Sequence, residues 1–453
     1  MFTVQELVSA TQGRLTNGSP KSVVKGISID SRTIKAGQVF VAIKGSTFEG
    51  HLFIPAALQK GASCIITQAP ILPKEIVAAA CIVVKDTTKA LGDIARFHRK
   101  RFSIPVIAVT GSNGKTTTKE MLSWVLSKKW KVLRSEGTRN NHIGVPMALL
   151  GLNRTQELVI VELGSNHFGE IGYLAGIAQP TLGIITGIGS SHLEFLGDLT
   201  GVSREKLSLI EKLISPSVAV LNADDPLLRK AMVKKRGANI SVSFGITHPA
   251  DFSAGDIRFV NGAWRFKVNK RHYCRLDTLG QFNIFNALAT IAVARILGMG
   301  YKEISARLAK FSFPARRLKM VRMHKVRFID DTYNSNPSSV HHALEALART
   351  RVKGRRIFVM GDMLELGAQT NALHRQMGDR IARICDEVIT VGEFSRLSVE
   401  GILPSDSPLK NVFCCANSAE AKDILFTKII PKEDDLVLVK GSRGMRMEEI
   451  FSI

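Results

Sequence analysis

Eight consecutive residues, Thr110-Gly111-Ser112-Asn113-Gly114-Lys115-Thr116-Thr117, have types and spacing suited to phosphate chemistry. Glycines let backbone N–H groups turn onto phosphate oxygens, and a helix opening behind them adds the positive end of its dipole. Lys115 can bridge outer phosphates and the Thr116 hydroxyl can ligate Mg²⁺. The first glycine of the commoner GxxxxGKT loop would fall on Val109, so this is a loop of the shorter GxxGKT type. The chemistry implied is phosphate binding with a metal ion. Downstream, Glu162 opens Glu-Leu-Gly-Ser-Asn-His, and His192 lies in Gly-Ser-Ser-His-Leu-Glu. A carboxylate and an imidazole on one rim suit a second Mg²⁺ or Mn²⁺ site; alone, each could equally be a helix-capping Glu or a hydrogen-bonded surface His.

These groups must be positioned by strand ends. An apolar run over 106–109 precedes the glycine loop, and Met121, Leu122, Val125 and Leu126 mark one face of a helix after it. Further strands are expected over 158–161, 182–185 and 218–221, with helical stretches between them, which predicts a parallel α/β sheet. Ligands of such sheets lie outside the carboxyl ends of the strands, which would bring Glu162 and His192 to the rim of Lys115. Residues 1–100 mix short strands (40–43, 64–66) with a helix over 55–60. The texture changes again near Phe313-Pro314, after which strands are expected over 326–329, 357–360, 387–391 and 436–439. The expected class is α/β in three domains: 1–100, a central P-loop parallel-sheet ATPase domain over 101–312, and a Rossmann-like domain over 313–453. The last carries no GxGxxG fingerprint, so nothing indicates a dinucleotide.

A chain of 453 residues with 45% hydrophobic and 22% charged residues is an ordinary globular composition, which excludes collagen, disordered tails and disulfide mini-proteins. The apolar stretch 76–84 is about half the ~20 residues needed to cross a bilayer. No signal peptide is apparent, and six scattered cysteines without CxxC spacing fit a reduced compartment; a cytoplasmic monomer is expected. The formal charge of +23 would suit nucleic acid or small polyanions. A generally basic proteome would give the same charge, so charge alone does not decide the partner; with no long basic tail and 6% aromatic residues for stacking, the expectation is small anions and no nucleic acid. His341-His342 reads as a solvated pair on a helix, Cys414-Cys415 as packing at a strand end, and Asp224-Asp225-Pro226 as a helix start.

Longer strings narrow the reading. TGSNGKTT, ELGSNHFGEI, GIGSSHLE, LNADD, GQFNIFNALA, FPARRL and VKGSRGMR together resemble the Mur ligase superfamily, ATP-dependent amide-forming enzymes of peptidoglycan precursor synthesis. DDTYNSNP (330–337), GDMLELG (361–367) and GTRNNHIGVP (137–146) are similar to its MurF branch, whose members join D-alanyl-D-alanine to UDP-N-acetylmuramoyl-tripeptide through an acyl phosphate. The resemblance spans the chain, including IDSR (29–32) and FVAIKG (40–45); the Asp-Asn-Pro-Arg signature of the diaminopimelate- or lysine-adding sister is absent.

The resemblance implies roles at matching positions. Gly111 to Thr117 would hold the triphosphate, with Thr116, Glu162 and His192 on two Mg²⁺ ions. Asn283 or Asn286, Arg317 and Asp331 would meet adenine, phosphates and ribose. Ser31 and Arg32, with Lys44, Gly45 and His51, would meet the UDP end, and Thr138, Asn140 and Asn141 the muramoyl-peptide. Asn334, Asn336 and the 440–443 segment would face the dipeptide. Lys206 matches a lysine that the family carbamylates with CO₂ into a metal ligand; from spacing alone it reads as a solvated lysine on a helix. Two departures bear on the metal: Gly187 replaces the Asn of an NIG motif, and Ser208 a Glu. Folylpolyglutamate synthase is the alternative within the superfamily, disfavoured by DDTYNSNP and GDMLELG; a nucleic-acid-dependent ATPase is the alternative outside it.

Overall fold

The computed structural model describes residues 1–45, 49–69, 79–234, 239–400 and 409–452. Beside a two-stranded antiparallel pair (Phe2–Thr3 with Val23–Val24), three large sheets organise the described residues, and these are mainly parallel, as runs of Val, Ile and Leu buried on both faces require. Among the described residues no helix is long and apolar enough to cross a membrane.

The first sheet has five strands in the order Arg14–Asn17, Ala80–Val83, Cys64–Thr67, Val39–Val41, Ile27–Ser28; only the first pairs antiparallel. The helix Thr87–Arg99, capped by Asp86, carries the chain to the central sheet. At its end the buried Arg99 donates to the carbonyls of Ala178 (3.2 Å), Ile104 (2.9 Å) and Phe102, and His98 Nε2 meets Leu152 O at 2.8 Å. One buried guanidinium thus satisfies loop carbonyls that would otherwise lack donors.

The central sheet has nine strands: His272–Leu276, Ala263–Val268, Phe252–Val260, Asn239–Gly245, Ser217–Asn222, Leu182–Ile185, Val106–Thr110, Leu158–Glu162, Val132–Arg134. The four expected strands are present, and Val106–Thr110 lies between Leu158–Glu162 and Leu182–Ile185. Strand order reverses there, so the loop after Thr110 opens into a crevice where ligands of such sheets bind. The meander over 252–276 was not anticipated: its strands are half-exposed and charged, as in the buried-exposed alternation of Ala263–Val268. The helix Asn283–Ile296 is apolar on nearly every side and packs under the sheet beside the helix Lys115–Leu126.

The third sheet has six strands: Lys319–Met323, Val326–Asp331, Leu436–Lys440, Arg356–Gly361, Glu387–Val391, Asn411–Cys415, parallel after the first hairpin. It does not stand apart. Leu193, Leu196 and Val202 of the central unit join one buried cluster with Leu318, Met363 and Leu366.

Candidate active site

The glycine loop has the conformation that its sequence requires. Gly111 (φ +145°) and Gly114 (φ +82°) adopt backbone angles that L side chains rarely take. A Cβ on Gly111 would lie 2.0 Å from Thr186 Oγ1, and one on Gly114 would lie 2.4 Å from Asn286 Oδ1. Ser112 ties the loop to the next strand's exit: its N–H donates to Gly187 O (2.9 Å) and its hydroxyl to Gly189 O (3.0 Å). The helix Lys115–Leu126 starts behind Gly114 without a side-chain cap, so its first amides stay available to an anion. Gly114→Ala is expected to weaken nucleotide binding about tenfold or more, because strain of about 1–3 kcal/mol falls on the phosphate loop. Calorimetric titration with ADP checks it, and unchanged affinity would refute this use of the loop.

A cavity of about 800 Å³ opens above the loop, between the central and C-terminal sheets. Of the expected nucleotide residues, Ser112, Asn113, Gly114, Lys115, Thr116, Thr117, Asn283, Asn286, Arg317 and Asp331 line it, whereas Gly111 shapes the turn beneath. Glu162, His192, Asn140, Asn141, Asn334 and Asn336 line it too. Contacts cross between the sheets here. Arg317 Nη2 donates to Thr116 Oγ1 (3.0 Å) and its guanidinium lies over the Tyr333 ring, while Asn336 Nδ2 donates to Asn113 Oδ1 (3.0 Å). Lys115 Nζ donates to Gly111 O (2.8 Å) and Ser112 O (3.4 Å), and burial lowers its pKa, partly offset by the Glu162 charge. Asp331 binds Lys440 Nζ at 2.6 Å, yet burial still holds its carboxyl above the usual range.

The residues fit a hard divalent cation. Glu162 is 1% exposed; its Oε1 accepts from Asn140 Nδ2 (2.8 Å), and its Oε2 is buried without a partner. An unpaired buried carboxylate oxygen is costly unless a cation comes to it. Among the described residues no group of three or more His, Cys, Asp or Glu could form a metal cage. One buried carboxylate with an unpaired oxygen suits Mg²⁺, which takes one or two carboxylates and completes its shell with substrate phosphates and water.

Lys206, on the helix Leu199–Glu211, is 1% exposed, and its ammonium makes no hydrogen bond or ion pair with the described residues. This contradicts a solvated helix-face lysine. Burial, reinforced by the Lys115 charge, lowers its pKa to about 7. Its neighbour Glu205 is occupied instead with the amides of Gly169 and Ile171, both at 2.7 Å. At the two departures, the Gly187 carbonyl accepts from the Ser112 amide (2.9 Å), and the Ser208 hydroxyl turns back to Glu205 O (2.6 Å).

The structure does not bring the remaining expected residues into this cavity. In the first sheet's unit, Ser31 is buried and Arg32 forms an exposed fork with Asp30. Lys44 lies 3.9 Å from Glu49, His51 holds Glu49 (2.5 Å) and the Gln68 amide (3.1 Å), and Gly45 borders residues outside the description. Thr138 is half-buried on the 135–141 loop.

Three positioning groups escaped the sequence reading. Lys119, wholly buried, donates to Ser135 O (2.8 Å) and Gly137 O (2.5 Å), pinning the loop that carries Thr138, Asn140 and Asn141. His342 is half-buried: it stacks on Phe282 at 5.1 Å in the cavity wall, and burial lowers its pKa to about 4. Glu365 reaches His192 from the third sheet. Helical spacing alone could have flagged Lys119, four residues after Lys115, but not the two contacts made across the cavity.

Comparisons with known proteins cover the same ground. The family model for the Mur ligase middle domain matches residues 109–294. That for the Mur ligase glutamate ligase domain matches 316–443, and that for the Mur ligase family catalytic domain matches 23–99. The UDP-N-acetylmuramoyl-tripeptide–D-alanyl-D-alanine ligase of Bacillus subtilis is 31% identical, covering 99% of this chain and 97% of its own. A crystal structure of MurF from Acinetobacter baumannii superposes with a TM-score of 0.89 at 32% identity, covering 99% and 98%. MurF ligase from Thermotoga maritima, solved in complex with ADP, gives 0.82 at 28% identity, covering 95% and 96%. With three family models in order and full-length identity above 30%, the chain belongs to the Mur ligase family and, within it, to the MurF group.

Proposed function

We propose that this chain is an ATP-dependent ligase that adds D-alanyl-D-alanine to UDP-N-acetylmuramoyl-tripeptide, giving the pentapeptide precursor of peptidoglycan. The observation that carries the reading is the Lys115–Glu162 cavity, walled by two sheets and lined by the glycine loop, strand ends and the Asn, Arg and Asp residues expected from the motifs. The Thermotoga relative's complex with ADP supports placing ATP on the glycine loop.

A carboxylate is a poor electrophile. In the proposed reaction the tripeptide carboxylate oxygen attacks the γ-phosphorus of ATP, ADP departs, and an acyl phosphate remains. The dipeptide amine then attacks the acyl carbon, and phosphate leaves as the amide forms. An α-amino pKa of about 8 keeps a working fraction of that amine unprotonated near neutrality. Lys115 and the amides of 111–117 offset charge on the transferring oxygens, and Arg317 adds a second cation from the C-terminal side. Thr116, Glu162 and His192, with Lys206 as its carbamate, would hold Mg²⁺, which supplies further charge neutralisation on the phosphates. Asn283 or Asn286 and Asp331 take the base and ribose. Asn140, Asn141 and Thr138 take the peptide, and Ser31, Arg32, Lys44, Gly45 and His51 take the UDP end on the first unit. Asn334, Asn336, Lys440 and Arg443 face the dipeptide. Such substrates place the reaction in the cytoplasm.

The direct test is ADP release with UDP-N-acetylmuramoyl-tripeptide, in its diaminopimelate and lysine forms, offered D-alanyl-D-alanine, D-alanine or L-lysine. One ADP per pentapeptide with the dipeptide alone is expected. Equal turnover with L-lysine, or glutamate addition to a folate, would sink the assignment.

A further inference from the structure

Two loops that meet across the cavity share an unusual feature. His192 (φ +55°) follows the central strand Leu182–Ile185, and Glu365 (φ +63°) follows the C-terminal strand Arg356–Gly361; both are left-handed without being glycine. Such backbones persist where surroundings over-determine them, and they cluster at functional sites. Here each serves the other: Glu365 Oε2 sits 2.5 Å from His192 Nδ1, and Glu365 O accepts from Glu194 N at 3.2 Å. Gly367 (φ +57°) lies so close beneath that a Cβ there would come within 3.0 Å of Glu194 Cα. Leu193 and Leu196 pack with Met363 and Leu366 around the contact, so the pair is held from both sides.

We propose that Glu365 is a positioning residue: its carboxylate, delivered by the C-terminal sheet, fixes the tautomer and ring orientation of His192 in the central unit. This rests on the reading of His192 as a metal ligand. A histidine has two distinct ring nitrogens, and the partner of one decides what the other can do. With Nδ1–H donated to Glu365, Nε2 keeps its lone pair, and among the described residues it has no other partner. A carboxylate behind a metal-binding imidazole also raises its basicity, and losing such a group typically costs 10–100-fold in metal affinity. Glu365 touches no reacting atom in this scheme; it acts through the imidazole. Because the carboxylate and the ring belong to different sheets, docking of the C-terminal unit supplies the orientation.

The test uses Mn²⁺ as the probe, titrated by electron paramagnetic resonance into the full-length protein saturated with ADP. Glu365→Ala should weaken Mn²⁺ binding about tenfold or more. Glu365→Gln should retain part of it, since an amide oxygen still accepts from Nδ1–H. The double variant with His192→Ala should bind no more weakly than His192→Ala alone, because two groups acting through one contact are not additive. ADP affinity without Mn²⁺ should stay unchanged in Glu365→Ala and Glu365→Gln, a readout that general damage to the fold would move. Wild-type Mn²⁺ affinity in Glu365→Ala, with His192→Ala impaired, overturns this inference alone, as do additive losses in the double variant. Wild-type affinity in His192→Ala overturns the metal reading beneath it.

Discussion

Replacing Lys115 with alanine should reduce ligation at least 10²-fold while leaving the fold and the UDP end of substrate binding nearly intact. Its ammonium turns back onto the carbonyls of Gly111 and Ser112, close enough to Glu162 and Arg317 to feel both charges. A triphosphate entering there would meet that cation where negative charge moves in the transition state, and removing one preorganised group of this kind costs 10²–10³-fold. The fold should survive, because the buried faces of the helix Lys115–Leu126 rest on Met121, Leu122, Val125 and Leu126, not on Lys115. Steady-state ADP release and a thermal melt read the two halves separately. Ligation within tenfold of the unaltered protein would remove Lys115 from the phosphate site.

Lys206→Ala should be comparably damaging, with partial recovery when short carboxylic acids are added. A buried lysine without a partner is an expensive cation, and an amine held at about 7 is neutral often enough to react. The neutral amine adds to CO₂ and releases one proton, leaving Lys–NH–COO⁻, whose hard oxygens suit Mg²⁺. The sign of the pH dependence follows. The folded-state pKa lies below the ordinary value of 10.5, so the neutral fraction grows as pH rises through about 7 and carbamate forms more readily above that pH. The penalty of the buried cation is complete below pH 7 and gone above 10.5, so the volume-conserving Lys206→Met should be inactive near neutrality yet no less stable. A carbamate signal from ¹³C-bicarbonate, present in the unaltered chain and absent in both variants, reads the modification directly. An unimpaired Lys206→Ala would falsify the role.

Much of this was legible in the chain because the relevant physics is local. The run before Gly111 is a strand because Val and Ile bury on both faces, and the next segment is a helix because its apolar residues recur on one side. Glycines at 111 and 114 announce a backbone that only glycine adopts easily, whatever the rest of the chain does. Glu162 at a strand end reads as a rim residue for the same reason: parallel strands all terminate at one edge. The meander over 252–276 was missed because its half-exposed strands carry charges on their open faces, and local pattern does not separate them from loops.

The family, the three-domain α/β organisation and the glycine loop were therefore set by sequence alone, through motifs and periodicities that act over a dozen residues. What the tertiary structure decided is which groups lose water and which meet. From spacing alone Lys206 reads as a solvated lysine, but packing removes it from solvent, and Phe282 half-covers His342. Glu365 had no role until a loop 173 residues away in sequence presented His192 to it. Burial and long-range contact depend on how three sheets dock. That docking is a sum over many weak apolar contacts, such as those joining Leu193 to Leu366, which no single stretch of sequence encodes.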